Sequence, residues 1–220
     1  MSLNVMFRDE LKGFAKSKVM LALWIGMPVL TLLIHAFQPK MNRDISLMLF
    51  STFVVASVSG TLSSIMLTVS IIHEKSRGVY PLFLVRPVKR RSILLGKFLA
   101  VFSCIAVAAL ITVAAGLVYD TLRGRPLDGR ALVEAGKSVL VGFAGMGISS
   151  AAGILIGVLA PSVLVGVILV LYGGNQISSL GLLPSIFNFP SAWLFSLAFG
   201  AIVTGLLLFV ADRLFEKKQF

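Results

Sequence analysis

Charged residues are scarce in this sequence. Asp, Glu, Lys and Arg make up 13% of its 220 residues, whereas hydrophobic residues make up 57%. A soluble domain has about 25% charged residues, so a chain with half that fraction lacks the side chains needed to cover a water-facing surface. The scarcity of charge excludes a soluble domain and indicates an integral membrane protein.

The groups that carry most membrane-bound chemistry are also missing. Ion-coupled transporters usually keep an ionisable residue inside the membrane, but the long apolar runs contain no Asp, Glu, Lys or Arg. His35 and His73 stand near the ends of such runs, where an imidazole can reach water. There is no HExxH pair and no P-loop, and the single cysteine, Cys104, excludes an intramolecular disulfide. We therefore predict no catalytic residue, no metal site and no cofactor within this chain.

Six apolar runs are long enough to cross a bilayer as helices, which takes about 20 residues each. Pro161 divides the last charge-free stretch, and a second break lies between Gly173 and Pro190, where Gly, Asn, Pro and Ser concentrate. No series of alternating strand-like segments indicates a barrel. The sequence thus predicts one all-α membrane domain over residues 1–220. Its six transmembrane helices are expected at about 19–37, 45–72, 98–119, 138–160, 162–183 and 191–211.

Basic residues are unevenly divided between the two sides of this predicted bundle. Segments 1–18, 73–97 and 212–220, together with the turn at Pro161, contain 14 Lys and Arg residues, and the opposite segments contain 6. Positive residues are concentrated in cytoplasmic loops. We therefore predict a multi-pass protein of the cytoplasmic (inner) membrane with both termini in the cytoplasm.

The first residues predict a further helix outside the bilayer. Leu3, Met6, Phe7, Leu11 and Phe14 share one side of a helix over residues 3–16, and the charged residues lie elsewhere on it. This spacing is typical of an amphipathic helix that lies in the membrane interface. The alternative is that these residues extend the first transmembrane helix into the cytoplasm.

Small residues recur at every fourth position of the fourth predicted span, at Gly145, Ser149, Gly153 and Gly157. Small faces of this kind let membrane helices approach closely. Two interpretations are open. The face forms a dimer or mobile helix interface, or it packs within one bundle.

Polar amides stand near the outer end of the fifth predicted span, at Asn175 and Gln176. Amide groups in hydrocarbon need hydrogen-bond partners. Pro184 and Pro190 follow, so a simple helix does not continue through this region. The pattern fits a re-entrant element that dips in from outside, or a plain loop.

The segment between the second and third spans has the most informative order of residues. His73 to Lys97 reads HEKSRGVYPLFLVRPVKRRSILLGK, with seven basic residues and one acid, Glu74. An apolar patch, Leu82 to Val85, stands between the charges and is followed by Pro87. Positive charge alone fits a cytoplasmic loop held against anionic lipid. An apolar patch flanked by charge, just outside the membrane, favours docking to another protein.

This segment resembles the loop after the second helix in the membrane subunits of type-2 ABC (ATP-binding-cassette) exporters. The pattern of that loop begins with Glu and a basic residue and ends with Gly-Lys. The matching residues are Glu74, Lys75, Arg77, Gly78, Leu82, Leu84, Pro87, Val88, Arg90, Arg91, Ile93, Leu94, Leu95, Gly96 and Lys97. The sequence departs from the pattern at Val79-Tyr80-Pro81 and at Arg86. The six spans and the amphipathic N-terminal segment are also similar to the layout of the family.

The resemblance implies a complex of two permease copies, identical or related, with two P-loop ATPase subunits that bind ATP and Mg²⁺ on the cytoplasmic side. A cytoplasmic coupling helix between helices 2 and 3 would dock on the ATPase, and the turn at Pro161 would make a second, smaller contact. The residues expected to couple the permease to the ATPase are Glu74, Lys75, Arg77, Gly78, Leu82, Pro87, Arg90 and Arg91.

The resemblance also implies a substrate path between the two permease copies. Its candidate lining residues are Ser57, Thr61, Ser64, Asn175 and Gln176. A path without fixed charge suits a hydrophobic or amphipathic cargo, and no nucleic-acid partner is expected. The predicted function is therefore the transmembrane subunit of an ATP-driven exporter. The alternatives are an ion-coupled secondary carrier without an ATPase, and a membrane scaffold that docks a soluble partner.

Overall fold

The computed structural model describes residues 3–37, 46–78, 90–124, 129–174, 176 and 191–217. These residues form helices and turns, so the prediction of an all-α protein is confirmed. In chain order the helices are α1 (Leu3–Ala15), α2 (Lys18–Phe37), α3 (Leu47–Ser76), α4 (Arg90–Leu122), α5 (Gly129–Leu159), α6 (Val163–Leu169) and α7 (Ala192–Lys217). A π-helical turn, Val170–Gly174, continues α6.

Five of these helices are long and apolar enough to cross a membrane: α2, α3, α4, α5 and α7. The predicted span at 162–183 is described only as far as Gly174 and at Gln176. Residues 163–174 would extend about 18 Å at 1.5 Å per residue, which is less than the hydrocarbon thickness of about 30 Å. The described residues therefore contain five spanning helices where the sequence predicts six.

Helices α3, α5 and α7 run in the same direction, and α4 runs against them. The start of α4 at Lys97 lies beside the end of α3 at Glu74, whereas Asp120 lies beside the start of α3 at Leu47. We call these two ends of the bundle the Lys97 end and the Asp120 end. The parallel direction follows from pairs of neighbouring residues whose numbers rise together along both helices. These pairs are Gly60–Ser149, Ser64–Gly153 and Thr68–Gly157 between α3 and α5, and Ala144–Gly200 and Gly147–Thr204 between α5 and α7.

Helix α5 lies in the middle of the bundle because its small residues let α3 and α7 approach it closely. A methyl group on Gly153 would lie 2.6 Å from the Cα atom of Ser64, so only glycine fits there. Thr68 Oγ1 donates a hydrogen bond to the carbonyl of Gly153 at 2.7 Å. Ser149, Gly153 and Gly157 therefore pack against α3 within one chain, while Gly145 is only partly buried.

At the Asp120 end of the bundle, the first turn of α3 lies beside a carboxylate of α4. Asp120 is buried and accepts hydrogen bonds from the backbone N–H groups of Leu47 at 3.1 Å and Met48 at 2.8 Å. Ser46 accepts a third from the backbone N–H of Leu49. The first N–H groups of a helix have no partner within the helix, and a negative charge is favourable there. Asp120 thus joins α3 to α4 at this end.

Two glycines on α7 give a matched test of this packing. A methyl group on Gly200 would lie 2.7 Å from the Cβ atom of Ala144, whereas Gly205 has nothing within 4 Å of the same position. We expect Gly200→Ala to lower the free energy of unfolding by about 1–3 kcal/mol through overpacking. Gly205→Ala should cause no loss, because alanine favours the helix. Thermal unfolding in detergent measures both, and equal effects would contradict the α5–α7 contact.

Candidate coupling site

Lys97 is a buried cation at the end of the bundle where α1, α3 and α4 meet. Its side chain is only 1% exposed. Its Nζ atom lies 2.8 Å from Glu10 Oε1, donates to Glu74 Oε1, and lies 3.5 Å from Ser70 Oγ. A charge taken out of water is costly unless it is paired and hydrogen-bonded. Glu10, Ser70, Glu74 and Lys97, which we call the Lys97 cluster, meet this condition together.

The cluster forms because each helix brings its residue to the same point. Ser70 and Glu74 are four residues apart and therefore share one face of α3. Gly96 lets α1 approach α4, since a methyl group there would lie 3.3 Å from Met6 Cβ. Met6 and Phe14 pack into the apolar core. Glu10 lies one helical turn from each of them on the same side of α1, so it is placed beside Lys97.

Helix α1 is separate from α2 rather than an extension of it. Between them Ser17 Oγ accepts a hydrogen bond from the backbone N–H of Met20 at 3.2 Å, as at the start of a new helix. Met6 and Phe14, on the apolar side of α1, pack against the core, while Arg8, Lys12 and Lys16 are exposed. The alternative of a simple cytoplasmic extension is therefore wrong, and the interfacial position of α1 stays a prediction.

Two further polar contacts join helices at the Lys97 end. Lys75 Nζ donates to the carbonyl of Ala160 at 3.4 Å, which ties the last turns of α3 to the turn at Pro161. Arg91 Nε forms an ion pair with Asp212 Oδ2, which ties the start of α4 to the end of α7. The end of α3, the start of α4 and the end of α7 therefore each have a polar link to another helix or turn at this side.

The predicted coupling residues lie as follows. Glu74, Lys75 and Arg91 belong to the contacts above. Arg77 and Gly78 end α3 and are exposed, and Gly78 has a φ of +64°, the left-handed conformation that glycine commonly adopts after a helix. Arg90 begins α4, but its side chain lies outside the described residues, as do Leu82 and Pro87.

The predicted path residues on α3 lie in different environments. Ser57 is exposed and Thr61 is half-buried, one turn apart on the same side of α3. Ser64 is buried against Gly153, and its hydroxyl donates to the carbonyl of Thr61 at 3.0 Å. Gln176 is exposed, and Asn175 lies outside the described residues.

Sequence reasoning missed three partners. Glu10 contacts Lys97 across 87 residues of chain. The one sequence feature that points to this contact is the spacing of four residues from Glu10 to Met6 and to Phe14, which puts Glu10 on the packed side of α1. Asp212 and Asp120 carry no local signal, because each is a single acid beside an apolar run. His35 does not reach water as expected. It is 2% exposed, with its ring centroid 5.7 Å from that of Phe50.

No group of three or more His, Cys, Asp or Glu side chains among the described residues is placed to hold a metal ion. Residues 8–175, well over half of the chain, match a family model described as "ABC-2 family transporter protein". No curated protein gave a significant match to the chain.

Proposed function

The chain belongs to the ABC-2 family of transporter proteins, and from this premise we propose that it is the membrane subunit of an ATP-driven exporter. Membership and the five apolar helices make it a multi-pass permease subunit. We propose further that it moves a hydrophobic or amphipathic substrate out across the cytoplasmic membrane. A separate P-loop ATPase, in two copies with ATP and Mg²⁺, would supply the energy to two permease copies.

The Lys97 cluster is the observation that carries this proposal. Glu74 stands five residues before the segment 79–89, and Lys97 stands eight residues after it. The Glu74–Lys97 ion pair therefore holds together the end of α3 and the start of α4, which flank this segment. Glu10 forms a second ion pair with Lys97 and thereby joins α1 to α3 and α4. A force applied by an ATPase to the loop would move α1, α3 and α4 as one unit, because packed elements move as rigid bodies.

A second ATPase contact at the Pro161 turn is supported by the Lys75–Ala160 hydrogen bond. This bond places the turn beside the last turns of α3, so the turn and the helix end that precedes segment 79–89 lie at the same end of the bundle. We propose that both contact the ATPase, with Glu74, Lys75, Arg77 and Gly78 nearest to the larger contact. The proposed contact of Leu82, Pro87, Arg90 and Arg91 rests on the sequence resemblance.

The direction of the helices supports a sixth membrane crossing. Helices α5 and α7 are parallel, so both end at the Lys97 end. The chain between Leu159 and Ala192 must therefore return to the Asp120 end before α7 begins. We propose that residues 160–191 contain this crossing. With six crossings both termini lie at the Lys97 end, and the excess of basic residues on that side favours the cytoplasm.

The proposed cargo class follows from the apolar character of the described helices. The exposed side of α2 is an apolar surface that includes Gly26, Val29, Leu30, Leu33, Ile34 and Phe37. The described spanning helices are apolar over most of their length. A path between such helices would favour a hydrophobic or amphipathic molecule over a charged solute.

Glu74→Gln tests the coupling role. Glutamine keeps the size of the side chain, and Glu10 still pairs with Lys97, so the variant should fold and bind the ATPase. We expect its ATP hydrolysis to stay within about twofold of wild type while ATP-dependent transport falls at least about tenfold, a loss of about 1.4 kcal/mol in coupling. The measurement is hydrolysis and rhodamine 6G transport by the complex in proteoliposomes.

The matched control is Glu134→Gln, because Glu134 forms an exposed pair with Lys137 at 2.8 Å on α5, at the other end of the bundle. This variant should behave as wild type. Purification of the tagged chain from native membranes without any P-loop ATPase would overturn the proposed function. Normal coupled transport by Glu74→Gln would contradict the coupling role of Glu74 and leave the proposed function of the chain standing.

A further inference from the structure

Helix α7 is the most loosely packed of the spanning helices. Only 17% of its apolar window is buried inside the protein, the smallest share among the five spanning helices of the described residues. It packs closely against α5 at Gly200, and none of residues 201–210 is fully buried. The position of α7 relative to the rest of the bundle therefore depends strongly on the contacts of its last turns.

The last turns of α7 meet the start of α4 at the Lys97 end. Ala211 and Phe215 are buried, and they belong to the same core cluster as Ile93 and Leu94 of α4. Asp212 stands between them in the sequence, and its side chain is only 10% exposed. A carboxylate therefore lies beside apolar core residues, where a charge is costly unless it is paired and hydrogen-bonded.

Arg91 satisfies only one of the two oxygens of this carboxylate. Its Nε atom forms an ion pair with Asp212 Oδ2, and about half of the Arg91 side chain is exposed. Asp212 Oδ1 is buried and has no hydrogen-bond partner among the described residues. A buried acceptor without a partner lowers stability, and apolar residues often replace a buried ion pair without loss. Stability alone therefore does not account for an acid at this position.

We infer that Asp212 is a positioning residue of the coupling site and that it acts through Arg91 to join α7 to the unit that the ATPase moves. The source of the movement rests on the proposed function, and its route rests on the ion pair. Arg91 is the second residue of α4 and stands two residues after the segment 79–89. A force on that segment would therefore reach the α4 turn that Asp212 holds before it reaches the rest of α4.

Helix α4 has two separate ion-pair connections to its neighbours. Lys97 joins it to α1 and α3, and Arg91, six residues earlier, joins it to α7. Residues six apart point to different sides of a helix, because each residue turns it by about 100°. Without the Arg91–Asp212 pair, a shift of α4 would reach α7 only through apolar contacts and through α5.

A cycle of variants at the two positions tests this route. The variants are Asp212→Leu, which keeps the branched shape and removes both acceptors, Arg91→Gln, and the two changes together. ATP hydrolysis and rhodamine 6G transport are measured for each complex with its ATPase in proteoliposomes. We expect Asp212→Leu to lower transport per ATP hydrolysed at least about fivefold. In the Arg91→Gln background the same change should cause no further loss, because Asp212 acts only through Arg91.

Thermal unfolding separates this role from a structural one. Asp212→Leu places an apolar side chain beside apolar residues, and the half-exposed Arg91 can remain in water. We expect its unfolding midpoint in detergent to fall by no more than about 4 °C, whereas a structural role would lower the midpoint and the coupling together. Asp212→Asn should keep most of the coupling, because its amide oxygen can still accept from Arg91 Nε.

The matched control for transport is Arg213→Gln. Arg213 is the next residue of α7, is exposed, and lies over the Phe209 ring at 5.2 Å from its centroid. This variant should couple hydrolysis to transport as wild type does.

A crosslink tests the link between α4 and α7 without the ATPase. The isolated Arg91→Lys chain is treated with a water-soluble carbodiimide, which joins a lysine to a neighbouring carboxylate, and the products are digested and identified by mass spectrometry. We expect an amide between residues 91 and 212, and none when Asp212→Asn is added. The exposed Glu134–Lys137 pair, at 2.8 Å, is the positive control in the same chain.

Each outcome decides one part of the inference. Normal transport per ATP in Asp212→Leu, or a further loss when it is added to Arg91→Gln, overturns the positioning role. A loss of stability that accompanies the loss of coupling also overturns it. A crosslink at 134–137 without one at 91–212 overturns the link itself. Purification of the chain without any P-loop ATPase overturns the proposed function, and the crosslink still tests the link by itself.

Discussion

Replacing Glu10 and Glu74 together by glutamine is expected to lower the free energy of unfolding by about 3–5 kcal/mol, because both changes leave the charge of Lys97 buried and unpaired. Either single change should cost much less, since the other carboxylate stays beside Nζ. The two losses should therefore be strongly non-additive. Denaturation in mixed detergent micelles, followed by tryptophan fluorescence, gives the three values.

A triple variant separates the effect of the Lys97 charge on stability from the effect of side-chain size in this cluster. Adding Lys97→Met to the two glutamines removes the unpaired cation and should recover most of the lost stability, as apolar replacements of buried ion pairs often do. The recovered protein should still lack coupled transport, because α1 and the loop ends are no longer held by a shared cation. Additive losses, or no recovery in the triple variant, would show that Lys97 does not depend on these carboxylates.

Asp120→Ala should have the next largest effect on stability, a loss of about 2–4 kcal/mol. The change removes both acceptors from the backbone N–H groups of Leu47 and Met48 in a buried position, and each unsatisfied buried donor costs about 1–3 kcal/mol. The loss should be local to the start of α3. Hydrogen exchange should therefore quicken at residues 47–50 before it changes at the Lys97 end.

Asp9→Ala is the control for this variant, because Asp9 is exposed on α1. We expect its effect on unfolding to stay within about 0.5 kcal/mol, as for most surface substitutions. Equal losses in the two variants, or unchanged exchange at the first turn of α3 in Asp120→Ala, would contradict the capping role of Asp120.

The helices themselves follow closely from the sequence. The predicted spans at 19–37 and 45–72 correspond to α2 and α3, which run from Lys18 to Phe37 and from Leu47 to Ser76. The observed helices are mostly longer than the predicted spans. Helix α5 begins nine residues before the predicted 138, at Gly129, because Arg130, Glu134 and Lys137 can extend a helix beyond the hydrocarbon.

The candidate site was only partly predictable. Glu74, Gly96 and Lys97 all match the loop pattern of the family that the sequence resembles, but the pattern does not predict that any of them are in contact. The structure pairs Glu74 with Lys97 and uses Gly96 to admit α1. The small residues of α5 had two interpretations, and the intramolecular contact with α3 could not be chosen from spacing alone, because both interpretations use the same spacing.

Composition and local order alone determined that this chain is a helical membrane protein with a basic segment between its second and third predicted spans. These properties follow from free energies that act residue by residue, namely the transfer of apolar side chains into lipid and the cost of charge there. The tertiary structure alone decided which charges meet. Lys97 meets Ser70 and Glu74 because α4 packs against α3, Glu10 joins them because α1 crosses α4 at Gly96, and Asp120 meets Leu47 across 73 residues of chain. Pairing of this kind depends on distances in space, which no local pattern in the sequence encodes.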